Sequence, residues 1–167
     1  IMAEQLMEQS ETVKQIYEWH EKQEAKKPLR AGRLGASITG RPCERFLWYS
    51  FRKLFTKTFS GRILRLFKTG HEEEHRFVEE LRGIGCTVEH CTKDDQLELT
   101  ALGGHFVCYP DGMALGIPTA EKAWHVLEFK TMGGTEDQKS KDFEKVSNNG
   151  VKSAKPEHYA QMMAGMG

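Results

Sequence analysis

The residues of this sequence best suited to chemistry are Asp111, Glu128 and Lys130. Asp111 follows a β-type run at residues 105–109 and precedes a glycine, which predicts that it lies where a strand ends in a turn. Glu128 and Lys130 are two positions apart in a second β-type run, residues 124–130, so they project from the same face of a strand. The two carboxylates would suit Mg²⁺ or Mn²⁺, and the ammonium can organise a water molecule or stabilise a developing oxyanion. The pattern indicates phosphodiester chemistry, and the alternative is an ordinary hairpin with an exposed carboxylate and a solvated lysine.

The two stretches together resemble the core signature of the PD-(D/E)XK nuclease superfamily. The resemblance implies an α/β (α+β) fold with a restriction-endonuclease-like core, a central mixed sheet of about four to five strands flanked by helices. It also implies that Asp111, Glu128 and the backbone carbonyl of Phe129 hold one or two Mg²⁺ ions. Lys130 would position or deprotonate the attacking water.

A third carboxylate, Glu74, lies in a predicted helix that runs from Gly61 to about Arg82. At helical periodicity Glu74 falls at the centre of an apolar stripe, where a carboxylate is costly unless it is paired or bound to metal. The stripe comprises Ile63, Phe67, Phe77, Val78 and Leu81. The alternative to a metal ligand is a buried Glu–Arg pair.

The segment from Arg65 to Glu74 is similar to the first-helix motif of the lambda-exonuclease-like and RecB-like branches of this superfamily. In those branches a Glu or His one helical turn after a glycine joins the metal site. Gly70 and Glu74 occupy these two places in this sequence. The resemblance therefore implies that Glu74 is a further metal ligand.

Residues 156–163 are predicted to start a helix, with Pro156 in its first turn. The spacing of Pro156, Tyr159 and Gln161 resembles the Gln-containing helix that follows the E-x-K strand in RecB-like nucleases. The resemblance implies that Gln161 supports Lys130 or a nucleotide. The family often carries a tyrosine four residues after the glutamine, and this sequence has Gly165 there.

The net charge is zero, yet the charge is unevenly distributed along the chain. Between Lys26 and His71 many Lys and Arg residues accompany a single acid, Glu44. This is the electrostatic footprint expected of a protein that holds a phosphate backbone, and such contacts position nucleic acid without specifying sequence. The alternative is a solvated basic surface whose counter-charges are supplied by the fold. The candidate DNA-binding residues are Arg30, Arg33, Arg41, Arg45 and Arg65.

Two of these residues, Arg30 and Arg33, lie in a glycine-containing loop. They resemble the arginines with which exonucleases of the lambda type grip a terminal phosphate. Residues 37–45 are similar to the segment around the upstream cysteine of CRISPR-associated and AddB-type iron–sulfur nucleases. Those proteins need three more cysteines after the E-x-K strand, and none follows Lys130 in this sequence, so an iron–sulfur cluster is not supported. We expect reduced, buried thiols at Cys43, Cys86, Cys91 and Cys108.

The length of 167 residues predicts one domain spanning residues 1–167, with an N-terminal helical segment to about residue 58. The resemblance implies that this is a single PD-(D/E)XK nuclease domain. The chain ends in a predicted helix, and we interpret it as a fragment or the ordered part of a longer protein. With no apolar run long enough to cross a bilayer and no signal peptide, we expect no membrane partner and a cytoplasmic location, in the host if phage-encoded. Further helices are predicted at residues 3–26, 43–51 and 137–146, and further strands at residues 86–90 and 96–100.

These features together predict a metal-dependent DNA nuclease, most closely a non-sequence-specific exonuclease of the phage recombination type. No base-reading helix is recognisable, which favours action on DNA ends or junctions. Besides DNA, the expected partners are a second copy of the chain or a phage recombination protein. The alternatives are a structure- or sequence-specific endonuclease of the same superfamily and a non-catalytic nucleic-acid-binding module. Three convergent acids argue against the binding module, because without metal they would repel phosphate.

Overall fold

The computed structural model describes residues 10–27, 32–55, 57–131 and 136–166, which form a mixed α/β structure. Its α-helices are α1 (Glu11–Ala25), α2 (Ala36–Thr39), α3 (Glu44–Phe51), α4 (Gly61–Gly83), α5 (Glu136–Ala154) and α6 (Pro156–Met166). A 3₁₀ turn covers Leu102–Gly104. None of the helices within these ranges combines the length and the apolar character needed to cross a bilayer.

The strands form two sheets of three strands each. They are β1 (Leu34–Gly35), β2 (Thr87–Glu89), β3 (Leu99–Ala101), β4 (Phe106–Cys108), β5 (Gly112–Leu115) and β6 (His125–Leu127). One sheet has the order β1-β4-β3, with β1 parallel and β3 antiparallel to β4. The other has the order β2-β5-β6 and is antiparallel throughout. In the described part of the chain, the expected central sheet of four to five strands is therefore divided in two.

The chain changes from one sheet to the other at Pro110. This residue is fully buried between β4 and β5. Proline has no N–H to donate, so the hydrogen-bond ladder of β4 cannot run on through it. Gly112 then lets β5 approach β2 closely, because a Cβ at this position would lie 3.2 Å from the carbonyl oxygen of Glu89. Asp111 is thereby fixed at the change of sheet.

The described residues form two compact units. The smaller consists of residues 10–27 and 57–72, which are α1 and the first half of α4. Its two helices meet at Gly61, whose N–H donates a hydrogen bond of 2.7 Å to the carboxylate of Glu21. A Cβ on Gly61 would overlap the backbone of Tyr17, so glycine permits this helix contact.

The larger unit consists of residues 32–55 and 73–166 and contains both sheets. Its core joins the second half of α4 to the β2-β5-β6 sheet through Val78, Cys86, Val88 and Ala114. Helices α2 and α6 pack so closely that a Cβ on Gly40 would lie 2.5 Å from the Cα of Glu157. The position of α6, and of any side chain it carries, therefore depends on a glycine at residue 40.

The predicted apolar stripe of α4 is correct only in the larger unit. Val78 is buried as expected, whereas Ile63 and Phe67 are 36% and 45% exposed. In the smaller unit Leu64 is buried instead of these two residues. The prediction assumed that one face of the helix packs into a single core along its whole length. The two halves of α4 instead belong to different units.

Two other element boundaries in the structure differ from those predicted from the sequence. The helix predicted at residues 137–146 continues through residues 147–149, and its break falls at Gly150, where φ is 71°. The strand expected at residues 96–100 begins only at Leu99. A glycine with positive φ interrupts a helix because it leaves the right-handed region, whereas serine and asparagine tolerate a helix in the right context.

Candidate active site

The β5–β6 pairing brings Asp111 beside Glu128. In this antiparallel ladder Gly112 is paired with Leu127, and the N–H of Asp111 donates to the carbonyl oxygen of Leu127 over 3.0 Å. The Asp111 carboxylate in turn accepts the N–H of Phe129 at Oδ2 over 2.6 Å. Asp111 therefore ties the two strand ends together as well as presenting a carboxylate.

Glu128 is a buried carboxylate held by two side chains. Only 8% of its side chain is exposed, and its Oε1 forms an ion pair with the Nζ of Lys130. The same oxygen accepts a hydrogen bond of 2.7 Å from Nε2 of Gln161 on α6. A buried charge needs such partners, since an unpaired carboxylate would shift to its neutral form. The structure thus brings Glu128 into direct contact with both Lys130 and Gln161.

The alternation expected along residues 127–130 is present. The side chains of Leu127 and Phe129 pack against the core cluster of the larger unit. The ring of Phe129 stacks on that of Phe77 in α4, with 5.3 Å between the ring centroids. The strand predicted over residues 124–130 ends earlier, at Leu127, so Glu128 and Lys130 follow β6. Glu128 nevertheless faces α6, where Gln161 donates to it.

The electrostatics of Asp111 connect all three predicted acids. Burial, and next the charge of Glu128, raise the pKa of Asp111 from 3.8 to about 6. The charge of Glu74 raises this pKa further, while the N–H of Phe129 and the ammonium of Lys130 lower it. Glu74 is half-buried on α4, as expected of an acid in an apolar stripe. The charges of two carboxylates from other segments of the chain therefore both act on Asp111.

This donor set suits a hard divalent cation in its chemistry, because carboxylate oxygens crowded together favour Mg²⁺ or Mn²⁺. Among the residues that the structure describes, however, no three His, Cys, Asp or Glu side chains are arranged to hold a metal ion. Oε1 of Glu128 accepts from Lys130 and Gln161, and Oδ2 of Asp111 accepts from Phe129. A cation bound at these same two oxygens would have to replace at least one of these donors.

Two residues beside the site were missed by the sequence analysis. Cys108 is buried, and burial followed by the charges of Glu128 and Asp111 raises its pKa, so the thiol stays protonated. Burial, and next the charge of Lys130, lower the pKa of His158 on α6, which favours the neutral imidazole. His158 could have been identified from its position three residues before Gln161, because this spacing places both side chains on one side of a helix.

Gly165 lies where the family pattern often has a tyrosine. It is buried, and a Cβ on it would lie 3.5 Å from both Sγ of Cys108 and Cγ1 of Val126. A methyl group would already make van der Waals contact, so the ring of a tyrosine could not be placed in the same direction without displacing α6. The last turn of α6 is used here for close packing.

Two of the predicted DNA-binding arginines have acidic partners within the fold. Arg33 forms an ion pair of 2.5 Å with Glu98, which also accepts the hydroxyl proton of Tyr109 over 2.7 Å. Nε of Arg41 lies 3.9 Å from a carboxylate oxygen of Glu157, a loose and exposed pair. For Arg33 in particular, the fold itself supplies the counter-charge.

The other three predicted arginines differ in their surroundings. Arg45 is exposed on α3. Arg65 belongs to the smaller unit, where its guanidinium lies 5.8 Å from the ring centroid of Tyr17. Arg30 lies outside the described residues.

The four cysteines are free thiols, as expected. Cys86 and Cys108 are buried and Cys91 is half-buried, whereas Cys43 is exposed, so the expectation of burial is wrong for this residue. Cys43 immediately precedes α3 and takes the N-cap position, where it makes no side-chain cap.

Comparison with known proteins adds no assignment to this geometry. No protein-family model matches the chain, and neither a curated protein nor a solved structure does.

Proposed function

We propose that this chain is a Mg²⁺-dependent DNA nuclease with a restriction-endonuclease-like core. The observation that carries the proposal is the set of contacts in which Asp111 accepts the N–H of Phe129 while the adjacent Glu128 contacts Lys130 and Gln161. The charges of Glu128 and Glu74, which raise the pKa of Asp111, support it. Acids that are far apart in sequence rarely crowd together without a task, because each raises the cost of ionising the others. A lysine and a buried glutamine beside them complete a set suited to phosphodiester hydrolysis.

Glu74, Asp111 and Glu128, with the backbone carbonyl of Phe129, would hold the cation. A divalent cation at this place supplies neutralisation of a phosphate and lowers the pKa of a water molecule. Asp111 is suited to binding because its carboxylate is partly desolvated and already destabilised by its neighbours. A bound divalent cation would favour the ionised form of Asp111, because its positive charge stabilises the carboxylate.

Lys130 orients the attacking water or offsets the negative charge on the phosphoryl oxygens as the reaction proceeds. The side chain of Lys130 is 35% exposed, so it is reachable from solvent while it contacts Glu128. Gln161 holds Glu128 from the side of α6 and keeps that carboxylate oriented if Lys130 turns towards a phosphate. Gln161 thus acts through Glu128 rather than through Lys130 or a nucleotide.

A second candidate is a non-catalytic nucleic-acid-binding module. Lys130 and Gln161 both donate hydrogen bonds to Glu128, and these bonds could have the structural role of holding α6 against the end of β6. Such a structural role for Glu128 favours the second candidate, because it requires no catalysis. The crowding of Asp111 by two other carboxylates favours the nuclease, because a phosphate binder gains nothing from buried negative charge.

The test is incubation of end-labelled linear duplex DNA with the protein and either Mg²⁺ or EDTA, with closed circular plasmid in parallel. An exonuclease shortens the linear DNA in Mg²⁺ only and leaves the closed circle intact, whereas an endonuclease opens the circle. Tight binding without cleavage in either Mg²⁺ or Mn²⁺ would support the binding module and refute the proposal.

A further inference from the structure

Helix α3 exposes aromatic side chains on its solvent face. Residues 46, 47, 50 and 51 are half-buried, and the ring of Phe51 packs edge-on against His105 with centroids 5.5 Å apart. On the other face, Trp48 is 56% exposed and Tyr49 is 40% exposed. From the sequence, the aromatic residues of the helix predicted at residues 43–51 are expected in the core, and the exposure of Trp48 and Tyr49 contradicts this expectation. Polar residues normally occupy the outer face of a surface helix, and large aromatics there suggest a binding role.

Two arginines flank these aromatics. Arg45, Trp48, Tyr49 and Arg52 are spaced three and four residues apart, so they form one exposed stripe along α3, which we call the α3 stripe. The guanidinium of Arg52 lies over the ring of Trp48, 5.5 Å from its centroid. In sequence, the sole acid between Lys26 and His71 is Glu44, so the stripe lies in a basic segment. Aromatic rings framed by positive charge suit a ligand that has both flat π-faces and anionic groups.

We propose that the α3 stripe binds single-stranded nucleic acid. Unpaired bases stack on Trp48 and Tyr49 while Arg45 and Arg52 hold the adjacent phosphates. Duplex DNA offers phosphates but keeps its bases stacked inside, so it uses the arginines alone. A wholly apolar protein partner is disfavoured, because it would have to desolvate two guanidinium groups.

The proposal rests on the proposed function in taking DNA as the nucleic acid. It adds that the favoured DNA substrate carries a single-stranded end. The residues of the acidic site do not by themselves distinguish single-stranded from double-stranded DNA. The α3 stripe and the acidic site belong to the same compact unit. Binding can be measured in EDTA, where no cleavage is expected, so the two proposals can fail separately.

The experiment uses Trp48 as its own reporter. The sequence has three tryptophans, so the double variant Trp19→Phe/Trp124→Phe leaves Trp48 as the single emitter. Oligothymidine is titrated into this variant in EDTA, and a hairpin duplex of equal nucleotide number serves as the comparison. We expect the oligothymidine to quench Trp48 fluorescence and the duplex to leave it nearly unchanged.

Affinity for labelled oligothymidine is then compared among variants of the otherwise natural chain. Trp48→Ala should weaken binding by at least about fivefold, as expected for loss of one stacked base, and Trp48→Phe should restore most of it. Arg45→Glu/Arg52→Glu should weaken binding and reduce its dependence on salt. The matched control is Trp19→Ala, which removes a tryptophan of similar exposure, 54%, and should leave the affinity unchanged.

Unquenched Trp48, or equal oligothymidine affinity in Trp48→Ala and the natural chain, would overturn the proposal. So would sedimentation showing that the natural chain self-associates and that Trp48→Ala abolishes it, since the stripe would then bind a second copy. Binding that depends on Trp48 without any Mg²⁺-dependent cleavage would refute the nuclease and retain the stripe. Mg²⁺-dependent cleavage by the natural chain, together with unchanged oligothymidine binding by Trp48→Ala, would retain the nuclease and refute the role of the α3 stripe.

Discussion

Gln161 donates a hydrogen bond of 2.7 Å from Nε2 to Oε1 of Glu128, across 33 residues of sequence. Both side chains are buried, with 9% of Gln161 and 8% of the Glu128 side chain exposed. A hydrogen bond to a charged group is stronger than a neutral one, and burial keeps water from replacing it. The contact makes the orientation of Glu128 depend on where α6 lies.

Gln161→Ala should therefore lower both stability and cleavage rate. The loss of a buried hydrogen bond to a charged group costs about 1.5–3 kcal/mol in the free energy of unfolding. The cleavage rate should fall while DNA affinity stays nearly unchanged, because Gln161 contacts Glu128 and not the substrate. Urea unfolding and single-turnover cleavage measure the two effects. Gln138→Ala, at an exposed position on α5, is the control. A Gln161→Ala protein with the same free energy of unfolding as the natural chain would contradict the expected role.

Glu128→Gln should abolish metal-dependent cleavage and leave DNA binding intact. It removes a negative charge at the cation site and keeps the side-chain volume. We expect the cleavage rate to fall by at least about 100-fold, as for loss of a central electrostatic group. DNA affinity in EDTA should be equal or higher, since one phosphate-repelling charge is gone. Glu121→Gln, at an exposed position of the same unit, should cleave like the natural chain. A Glu128→Gln protein that retains full activity would exclude the acidic site as the catalytic centre.

Asp111 should make stability depend on pH when no divalent cation is present. Its pKa in the folded protein, about 6, lies above the ordinary value of 3.8, so the folded state binds the proton more tightly than the unfolded state. The resulting stabilisation is complete below the unfolded pKa and is lost as pH rises through the folded one. The free energy of unfolding should thus decline between about pH 4 and pH 6. Asp111→Asn should flatten this decline in urea titrations in EDTA, and an equally steep decline in both proteins would be contrary to this assignment.

Gly40→Ala should impair the site from a distance. The added Cβ would lie 2.5 Å from the Cα of Glu157 and 2.9 Å from its carbonyl oxygen, so α6 would have to shift. We expect a loss of about 1–3 kcal/mol in the free energy of unfolding, typical of overpacking, together with slower cleavage because α6 carries Gln161. Gly83→Ala is the matched control, since nothing lies within 4 Å of a Cβ at that position. Equal thermal unfolding of both variants would show that the α2–α6 contact can relax at no cost.

Local periodicity predicted much of what positions the acidic site. The alternation of Leu127 and Phe129 into the core follows from the period of a strand, and it needs no knowledge of the rest of the fold. The half-buried position of Glu74 follows in the same way from the period of a helix. Each depends on residues within one element.

Long-range packing explains the features that the sequence analysis missed. The missing N–H of Pro110 is visible in the sequence, but it does not show that the strands on either side of this buried proline belong to two separate sheets. The exposure of Trp48 depends on which face of α3 finds a partner, and aromatic residues alone do not determine that face. The bond from Gln161 to Glu128 joins α6 to the end of β6, and no local pattern specifies such a pair.

Binding of Mn²⁺, followed by electron paramagnetic resonance, tests most directly whether Glu74, Asp111 and Glu128 form one cation site. The natural chain and Glu121→Gln should bind the ion with equal affinity. Glu74→Gln, Asp111→Asn and Glu128→Gln should each weaken binding by at least about tenfold, because each removes a carboxylate from the same site. Unchanged Mn²⁺ affinity in Glu74→Gln, or no binding by the natural chain, would contradict the account.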